Sequence, residues 1–297
     1  MYPLNYVEPV FRPPSEWQSL IIQVTVGCSW NKCTFCTMYT DPQKRFRTKS
    51  IDEIDAELEA VANTGMPVRR IFLADGDAMA LSTRRLTAIL ESIKKHFPQL
   101  QRVSSYCLPR NLAKKSVAEL SELRQMGLTL MYVGCESGDN EVLSLVEKGE
   151  TYDSSLSALL KIKQAGMKSS VMILNGLGGR ELSEQHIKYS ARLMNEAQPD
   201  YLSTLVVSFQ FGDEATYGEK FQGRWVKMQQ PELFKELYTL ISQLDLQKTI
   251  FRSDHVSNSL VLKGVLGKDK KQFLRQIEAA MRTPELAGLR PEHKGAL

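Results

Sequence analysis

Three cysteines within a nine-residue segment are the side chains of this sequence best suited to metal chemistry. They are Cys28, Cys33 and Cys36, and the chain has only two others, Cys107 and Cys135. The clustered three therefore cannot supply four thiolates by themselves. A metal site built on three thiolates keeps an open coordination position unless a distant ligand closes it, and chemistry takes place at such a position.

The spacing of these cysteines is compatible with three kinds of metal site. A structural zinc site needs a fourth Cys or His, and the nearest downstream histidine is His96, sixty residues beyond Cys36. A plant-type [2Fe–2S] cluster needs a fourth cysteine, for which Cys107 is available. A [4Fe–4S] cluster with one iron left open for a ligand needs only the three.

The composition fits a folded intracellular protein. The chain has 297 residues, is 42% hydrophobic and has a formal net charge of +4, which says little about its partners. No apolar run approaches the ~20 residues that span a bilayer. The N-terminus lacks the basic start and apolar centre of a secretory signal, so we expect a cytoplasmic protein and no membrane partner. In a reducing compartment, clustered cysteines favour metal binding or catalysis over disulfides.

Apolar, β-branched segments alternate with amphipathic helical patterns along most of the chain. The predicted strands are Leu20–Val26, Arg70–Ala74, Arg102–Cys107, Leu128–Cys135, Lys168–Leu174 and Tyr201–Phe209. Helical patterns lie between them, and Ser50 with Glu53 forms a capping-box signature before the first. Six strand–helix units imply a parallel α/β sheet, open or closed. We expect a partial (β/α)6 barrel similar to a TIM barrel, with a helical and loop cap at its C-terminal side.

The unusual residues cluster after the predicted strands, where a barrel of this type builds its site. The cysteines follow the first strand, Asp75, Gly76 and Asp77 the second, and Cys107 ends the third. Glu136 and Ser137 follow the fourth strand, and a glycine-rich turn that begins at Gly176 follows the fifth. This recurrence at one end of successive units predicts a single site there.

Residues 211–297 have a different pattern. We divide the chain into an N-terminal extension (1–18), a core barrel (19–210) and a C-terminal cap (211–297) that does not fold independently. Within the cap, Asp254, His255 and Asn258 form a concentrated polar group. Such a group suits proton transfer to or from a substrate, and the alternative is a loop that stabilises its own backbone.

The segment from Gly27 to Cys36 resembles the cluster loop of radical S-adenosylmethionine (radical SAM) enzymes. In that family three cysteines follow the first barrel strand and an aromatic residue, here Phe35, precedes the third. The first gap has four residues instead of the usual three. The resemblance covers about residues 19–210 and is nearest to the branch of the methylthiotransferases and the Elongator catalytic subunit.

The resemblance implies specific cofactor contacts. Cys28, Cys33 and Cys36 would hold a [4Fe–4S] cluster whose open iron binds SAM. The turn of Asp75, Gly76 and Asp77 lies where the family binds the methionyl amine. Glu136, with Ser137 after it, matches an acidic residue that meets the ribose or the amine, and Gly176 begins the segment that lines the adenine. Phe35 completes the expected cofactor contacts.

The resemblance also implies the activity. The chain would cleave SAM reductively to a 5′-deoxyadenosyl radical and abstract hydrogen from a small organic or peptide substrate. Reduced flavodoxin or ferredoxin would donate the electron. An RNA-modifying enzyme and a non-catalytic iron–sulfur carrier or sensor are the alternatives. The sequence shows no strongly basic module, so we do not expect a nucleic-acid partner. Asp254, His255 and Cys107 are the candidate catalytic residues on the substrate side.

Several of these residues also have plain structural interpretations. Asp75 or Asp77 would cap the next helix, and Cys107 would pack as a small core residue. Lys148 would lie near the SAM carboxylate or, as the commoner case, on the surface at a helix end. The basic run from Lys44 to Lys49 would be a solvated loop or a docking patch for an acidic electron carrier or a phosphate-bearing substrate.

Overall fold

The computed structural model describes residues 4–209 and 214–291. The strands are β1 (Leu20–Gln23), β2 (Thr25–Val26), β3 (Arg47–Thr48), β4 (Arg70–Ala74), β5 (Arg102–Tyr106), β6 (Leu128–Glu136), β7 (Lys168–Asn175), β8 (Tyr201–Val206), β9 (Ile250–Arg252) and β10 (Lys263–Val265). The helices are α1 (Ile51–Ala62), α2 (Thr83–His96), α3 (Val117–Gln125), α4 (Asn140–Leu145), α5 (Tyr152–Gln164), α6 (Gly179–Ala197), α7 (Glu214–Glu219), α8 (Gln230–Gln243) and α9 (Leu266–Arg282). Among the described helices, none has the length and apolarity that crossing a bilayer requires.

All six predicted strands are present: β4 has the predicted bounds, the first strand is interrupted, and the other four differ from prediction at their C-terminal ends by one to three residues. The first is interrupted at Val24 and continues as the short β2, which pairs with β3. The predicted capping box is confirmed, since the Glu53 N–H donates to Ser50 Oγ at 3.1 Å and the Ser50 N–H donates to Glu53 Oε2 at 2.7 Å. The structure adds β3, β9, β10, α4 and α7, which are too short for a periodic pattern to be recognised in the sequence.

The chain divides into two compact units, and the first comprises the described residues 4–31, 38–133 and 160–169. Its strands β1, β4 and β5 and the part of β6 up to Val133 are neighbours in that order and run parallel. Helix α2 buries Leu86, Ile89, Leu90 and Ile93, whose spacing in the sequence is that of one apolar helix face. The carboxyl ends of these parallel strands therefore share one edge of the sheet, where the polar turns of this unit begin.

The second unit comprises, among the described residues, 32–37, 134–159, 170–209 and 214–291. In it β7, β8 and β9 are parallel, and β10 pairs antiparallel with β9. The helices α6, α8 and α9 pack in series. Our division of the chain into core and cap remains a prediction, and its boundary at residues 210 and 211 lies outside the described residues.

A buried carboxyl group joins α8 to the glycine-rich turn after β7. Glu236 is 3% exposed, and its Oε1 accepts a hydrogen bond from the Gly176 N–H at 2.5 Å. Its Oε2 accepts a second from the Ser183 hydroxyl at the start of α6. Burial raises the pKa of Glu236 to about 7. The carboxyl thus fixes α8 against both the turn and α6.

The raised pKa of Glu236 predicts a pH-dependent stability. Because the native state holds this proton more tightly than the unfolded state, its contribution is present below the unfolded pKa of 4.5 and is lost as the pH rises through about 7. The loss is on the order of 3 kcal/mol, at about 1.4 kcal/mol per pKa unit. Urea unfolding between pH 5 and 8 measures it. Glu236→Gln should flatten the pH dependence, whereas Glu184→Gln, at an exposed position of α6, should not. Equal slopes in both variants would contradict the assignment.

Candidate functional site

Asp75, the first residue after β4, is fully buried in the first unit and is held by three donors. Its Oδ2 accepts from Lys44 Nζ at 2.7 Å and from the Gly27 N–H and Gln23 Nε2 at 3.1 Å each. Burial raises the pKa of Asp75, and these donors oppose the rise. Because its carboxylate is engaged inside the unit, Asp75 fixes the backbone just before Cys28.

The position of Lys44, which supplies the ammonium of this ion pair, differs from one expectation from the sequence. Lys44 begins the basic run that was expected to be solvated, yet its side chain is 0% exposed and forms an ion pair with Asp75. Arg45 and Arg47 of the same run are exposed. Gly27 lets the Lys44 backbone lie close to the start of the cysteine loop. It has φ +72°, and a Cβ there would lie 1.9 Å from the Lys44 carbonyl oxygen.

Gly76 and Asp77 continue the same turn. A Cβ at Gly76 would lie 2.4 Å from the Tyr39 ring, so glycine lets the ring pack on the turn. Asp77 is fully buried, and its carboxylate accepts hydrogen bonds from the Ser29 hydroxyl and the Asn111 amide. Burial raises the pKa of Asp77, although these hydrogen bonds act to lower it. The turn is therefore tied to the residue directly after Cys28.

Cys107 follows β5 in the first unit and is 2% exposed. Its Sγ lies 3.4 Å from the Leu108 carbonyl oxygen, to which the thiol donates. Nearby, the largely buried Lys115 donates to the Met79 carbonyl oxygen at 3.0 Å. Burial lowers the pKa of Lys115. The structure thus places Cys107 within the packed layer, as its plain structural interpretation expects.

Glu136 ends β6 in the second unit and has an unusual backbone. Its φ is +64°, in the left-handed region that non-glycine residues seldom adopt. The turn closes through a 2.7 Å hydrogen bond from the Ser137 N–H to the Cys135 carbonyl oxygen. Backbone strain of this kind costs on the order of 1–3 kcal/mol and is found mainly where a side chain must be aimed for function.

Two residues of α6 hold this turn in place. Ser137 Oγ lies 2.7 Å from Nδ1 of His186, and the Gly138 N–H donates to Ser190 Oγ at 2.9 Å. Complete burial lowers the pKa of His186 to about 4, so its ring is neutral near pH 7. Ser137 is therefore a support of the turn. The sequence pattern missed His186 and Ser190, because only the fold brings α6 to residues 137–138.

The carboxylate of Glu136 pairs with a buried lysine. Lys148 Nζ lies 3.1 Å from Glu136 Oε1, and the side chains are 5% and 9% exposed. Burial alone would lower the pKa of Lys148, but Glu136 and then Cys33 outweigh it and raise the pKa. A Cβ at Gly134 would lie 2.1 Å from Glu136 Oε1, so glycine leaves room for this carboxylate. The surface position expected for Lys148 is wrong.

The segment that carries Cys33 and Cys36 belongs to the same unit as this ion pair. The Thr34 N–H donates to the Val146 carbonyl oxygen at 3.1 Å, and Lys148 Nζ lies 5.8 Å from the centre of the Phe35 ring. The cysteine segment is thus attached to residues 146–148. Lys148 in turn pairs with Glu136, so the segment is linked to the Glu136 turn through this ion pair.

The cysteines differ in exposure. Cys28, Cys33 and Cys36 are partly exposed, Cys107 and Cys135 are buried, and all five are thiols. Cys28 lies in the first unit, and the other two of the trio lie in the second. Across residues 4–209 and 214–291, no three Cys, His, Asp or Glu side chains are arranged around a single ion position.

The polar group near the C-terminus forms local interactions within the second unit. Asp254 pairs with Lys263 at 2.9 Å, and His255 Nδ1 lies 2.8 Å from Ser257 Oγ. Asn258 Nδ2 donates to the Thr204 carbonyl oxygen at 2.8 Å. These contacts match the alternative in which the segment stabilises its own loop and attaches it to β8.

Comparisons with known proteins agree with this architecture. A sequence model described as the radical SAM superfamily matches residues 22–194. A putative methylthiotransferase of Methanocaldococcus jannaschii is 26% identical over 179 residues, which are 56% of this chain and 38% of that protein. A tRNA uridine(34) acetyltransferase of Methanocaldococcus infernus is 22% identical over 127 residues, 43% of this chain and 23% of that protein.

Solved structures show the same fold at low sequence identity. Coproporphyrinogen III oxidase from Escherichia coli, described as a radical SAM enzyme, has a TM-score of 0.58 and 16% identity over 76% of this chain and 52% of its own. Methylornithine synthase has a TM-score of 0.52 and 17% identity over 88% of this chain and 80% of its own. The expected fold class is confirmed, because the strands are mainly parallel and the similar structures include radical SAM enzymes.

These findings define an α/β enzyme with a partial barrel similar to a TIM barrel. The chain belongs to the radical SAM superfamily, whose model covers more than half of it. Members of this superfamily bind a [4Fe–4S] cluster and SAM, as expected from the cysteine loop. The chain spans about two fifths of the length of the putative methylthiotransferase it matches and less of the acetyltransferase.

Removing the Lys44 ammonium should destabilise the first unit strongly. Lys44→Met leaves the buried Asp75 carboxylate without its counter-charge, which typically costs about 3–5 kcal/mol. Urea unfolding measures this loss. The control is Lys95→Met, because Lys95 is 65% exposed in its pair with Asp55 and should contribute about 0–1 kcal/mol. Similar unfolding midpoints for both variants would show that the buried pair does not stabilise the fold.

Proposed function

We propose that this protein cleaves SAM reductively and uses the resulting 5′-deoxyadenosyl radical to abstract a hydrogen atom from a small organic or peptide substrate. The observation that carries the proposal is the buried Lys148–Glu136 pair, attached to the segment that bears Cys33 and Cys36. A carboxylate on a strained backbone and a buried cation beside the cysteine segment both cost folding free energy. This cost supports a role for the pair in binding a charged ligand.

The cysteines present suit the cluster. Cys28, Cys33 and Cys36 are partly exposed thiols, whereas Cys107 and Cys135 are buried. Each thiolate of a four-iron cluster binds a different iron, so the ligands need not converge on one ion position. A bound cluster, once reduced by an external donor, would pass one electron to SAM, which breaks one C–S bond of the sulfonium and gives methionine and the radical.

The protein residues then bind and orient the cofactor. Glu136 offers a carboxylate to the ribose or to the positively charged methionyl group, and Lys148 holds that carboxylate in place. Phe35 shields the cysteine segment, and the turn that begins at Gly176 lines the adenine. Ser137 acts through its hydrogen bond to His186 instead of through direct contact.

The turn after β4 contributes through its backbone in this proposal. The Asp75 and Asp77 carboxylates are engaged by neighbouring donors, so their role is to fix the backbone of Gly76, which would meet the methionyl amine. Asp254, His255 and Cys107 stay predictions from the sequence for the substrate side, since each makes a local structural contact. Reduced flavodoxin or ferredoxin would deliver the electron. Both carriers would be accessible to this protein in the cytoplasm, where we propose that it acts.

A second candidate is a radical SAM enzyme that modifies RNA. It is favoured by the similarity to a protein named as a tRNA acetyltransferase and to a putative methylthiotransferase. A non-catalytic iron–sulfur carrier or sensor is the third. Product analysis separates the three candidates. Both radical SAM enzymes form 5′-deoxyadenosine, whereas a carrier or sensor does not. Only the RNA-modifying enzyme transfers deuterium from labelled tRNA to 5′-deoxyadenosine.

The direct test is anaerobic reconstitution with iron and sulfide, followed by dithionite and SAM, with 5′-deoxyadenosine measured by mass spectrometry. We expect its formation in proportion to cluster content. A fully loaded cluster that yields none with dithionite, titanium(III) citrate or reduced flavodoxin would overturn the proposal and favour the carrier or sensor. Zinc without iron in the purified protein would overturn it as well.

Loss of one proposed cluster ligand should abolish SAM cleavage. In Cys33→Ala the cluster lacks one of its three thiolates, so both iron content and 5′-deoxyadenosine should fall to background. Cys135→Ala is the matched control, because Cys135 is fully buried and is not proposed as a ligand. Retained cleavage in Cys33→Ala would refute the ligand assignment.

Neutralising Glu136 should weaken SAM binding and leave the cluster in place. A hydrogen bond to a charged group contributes about 1.5–3 kcal/mol, so Glu136→Gln should raise the SAM dissociation constant about tenfold or more. Iron should stay at roughly three to four per chain. Equilibrium dialysis and iron analysis measure the two quantities. Glu147→Gln, at an exposed pair with Lys220, is the control; iron loss in Glu136→Gln alone would indicate a structural role for Glu136.

A further inference from the structure

We propose that Lys148 is a positioning residue that also sets the reduction potential of the cluster, an inference that rests on the proposed function. The role differs from binding SAM, because it acts on the cluster before SAM arrives. It also differs from a purely structural role, because it depends on the positive charge of the side chain and not only on its volume.

The structure fixes the ammonium beside the cysteine segment from three directions. Its Nζ lies 3.1 Å from Glu136 Oε1 and 5.8 Å from the centre of the Phe35 ring, and its side chain is 5% exposed. The backbone two residues before it binds the same segment through the hydrogen bond from Thr34 to Val146. Cys33 is bonded directly to Thr34, so this hydrogen bond attaches a proposed cluster ligand to the turn that carries Lys148. A lysine held in this way keeps its charge at the cysteine segment.

Charge at this position acts on the reduction step. Reduction adds one electron, taken from an external one-electron donor, to a cluster already surrounded by thiolates. A nearby cation lowers the energy of the more negative state, and burial weakens the solvent screening that would otherwise reduce the effect. Net charge, hydrogen bonds and exposure are the factors that set cluster potentials. Lys148 should raise the potential, and the Glu136 carboxylate should lower it.

Measuring the potential without SAM separates this role from the alternatives. A lysine that only bound the SAM carboxylate would not change the SAM-free potential when replaced. A lysine that only held Glu136 in place would leave the potential unchanged so long as the cluster stayed intact. The charge effect requires that Lys148→Met and Lys148→Arg differ although both fill the site.

The experiment is an anaerobic redox titration of the reconstituted holoprotein, followed by electron paramagnetic resonance with mediator dyes and dithionite. In Lys148→Met the ratio of reduced to oxidised cluster at a given potential should fall about tenfold, which is about 59 mV for one electron. Lys148→Arg should remain within about threefold of the unmodified protein. Lys220→Met is the matched control, since Lys220 is 43% exposed and should leave the potential unchanged.

Equal potentials in Lys148→Met and the unmodified protein, with equal iron content, would overturn the proposal. If Lys148→Met and Lys148→Gln both fail to hold iron, Glu136→Gln decides, because removing the carboxylate should shift the potential upward by a similar factor. An unchanged or lowered potential in that variant also overturns it. The proposed function fails separately, if a loaded cluster of normal potential yields no 5′-deoxyadenosine.

Discussion

A buried lysine that pairs with a carboxylate at the end of a parallel strand is the interaction on which each unit of this protein depends. Lys44 pairs with Asp75 in the first unit, and Lys148 pairs with Glu136 in the second. A buried charge is tolerated only with a close counter-charge, so each pair fixes the position of two segments at once. In both units one of those segments leads to, or binds, part of the cysteine loop.

The two pairs differ in what surrounds them. Asp75 accepts hydrogen bonds from two further donors and has an ordinary role in packing the start of the loop. Glu136 instead sits at a positive φ, over a glycine at position 134 that makes room for its carboxylate. The first pair therefore favours the fold, whereas the second retains strain, as residues that bind ligands often do.

The sequence predicted the elements well, because strand and helix periods repeat over many residues. The six strands, the Ser50–Glu53 capping box and the buried face of α2 follow from local patterns. The cysteine loop, with Phe35 before its third cysteine and its position after the first strand, was likewise enough to predict the family. The burial of Lys44 and Lys148 was missed, because lysine is usually exposed and only tertiary contacts supply its partner. His186 was missed for the same reason, since its contact with Ser137 spans 49 residues.

The left-handed backbone of Glu136 has a consequence for attempts to improve this protein by selection. Glycine adopts that conformation without steric cost, but at position 136 it would leave the buried Lys148 ammonium without its counter-charge. Losing the pair costs about 3–5 kcal/mol, which exceeds the backbone strain relieved, so a library screened only for heat resistance should keep the acidic side chain. Selection for robustness alone thus preserves the codon that the proposed turnover needs.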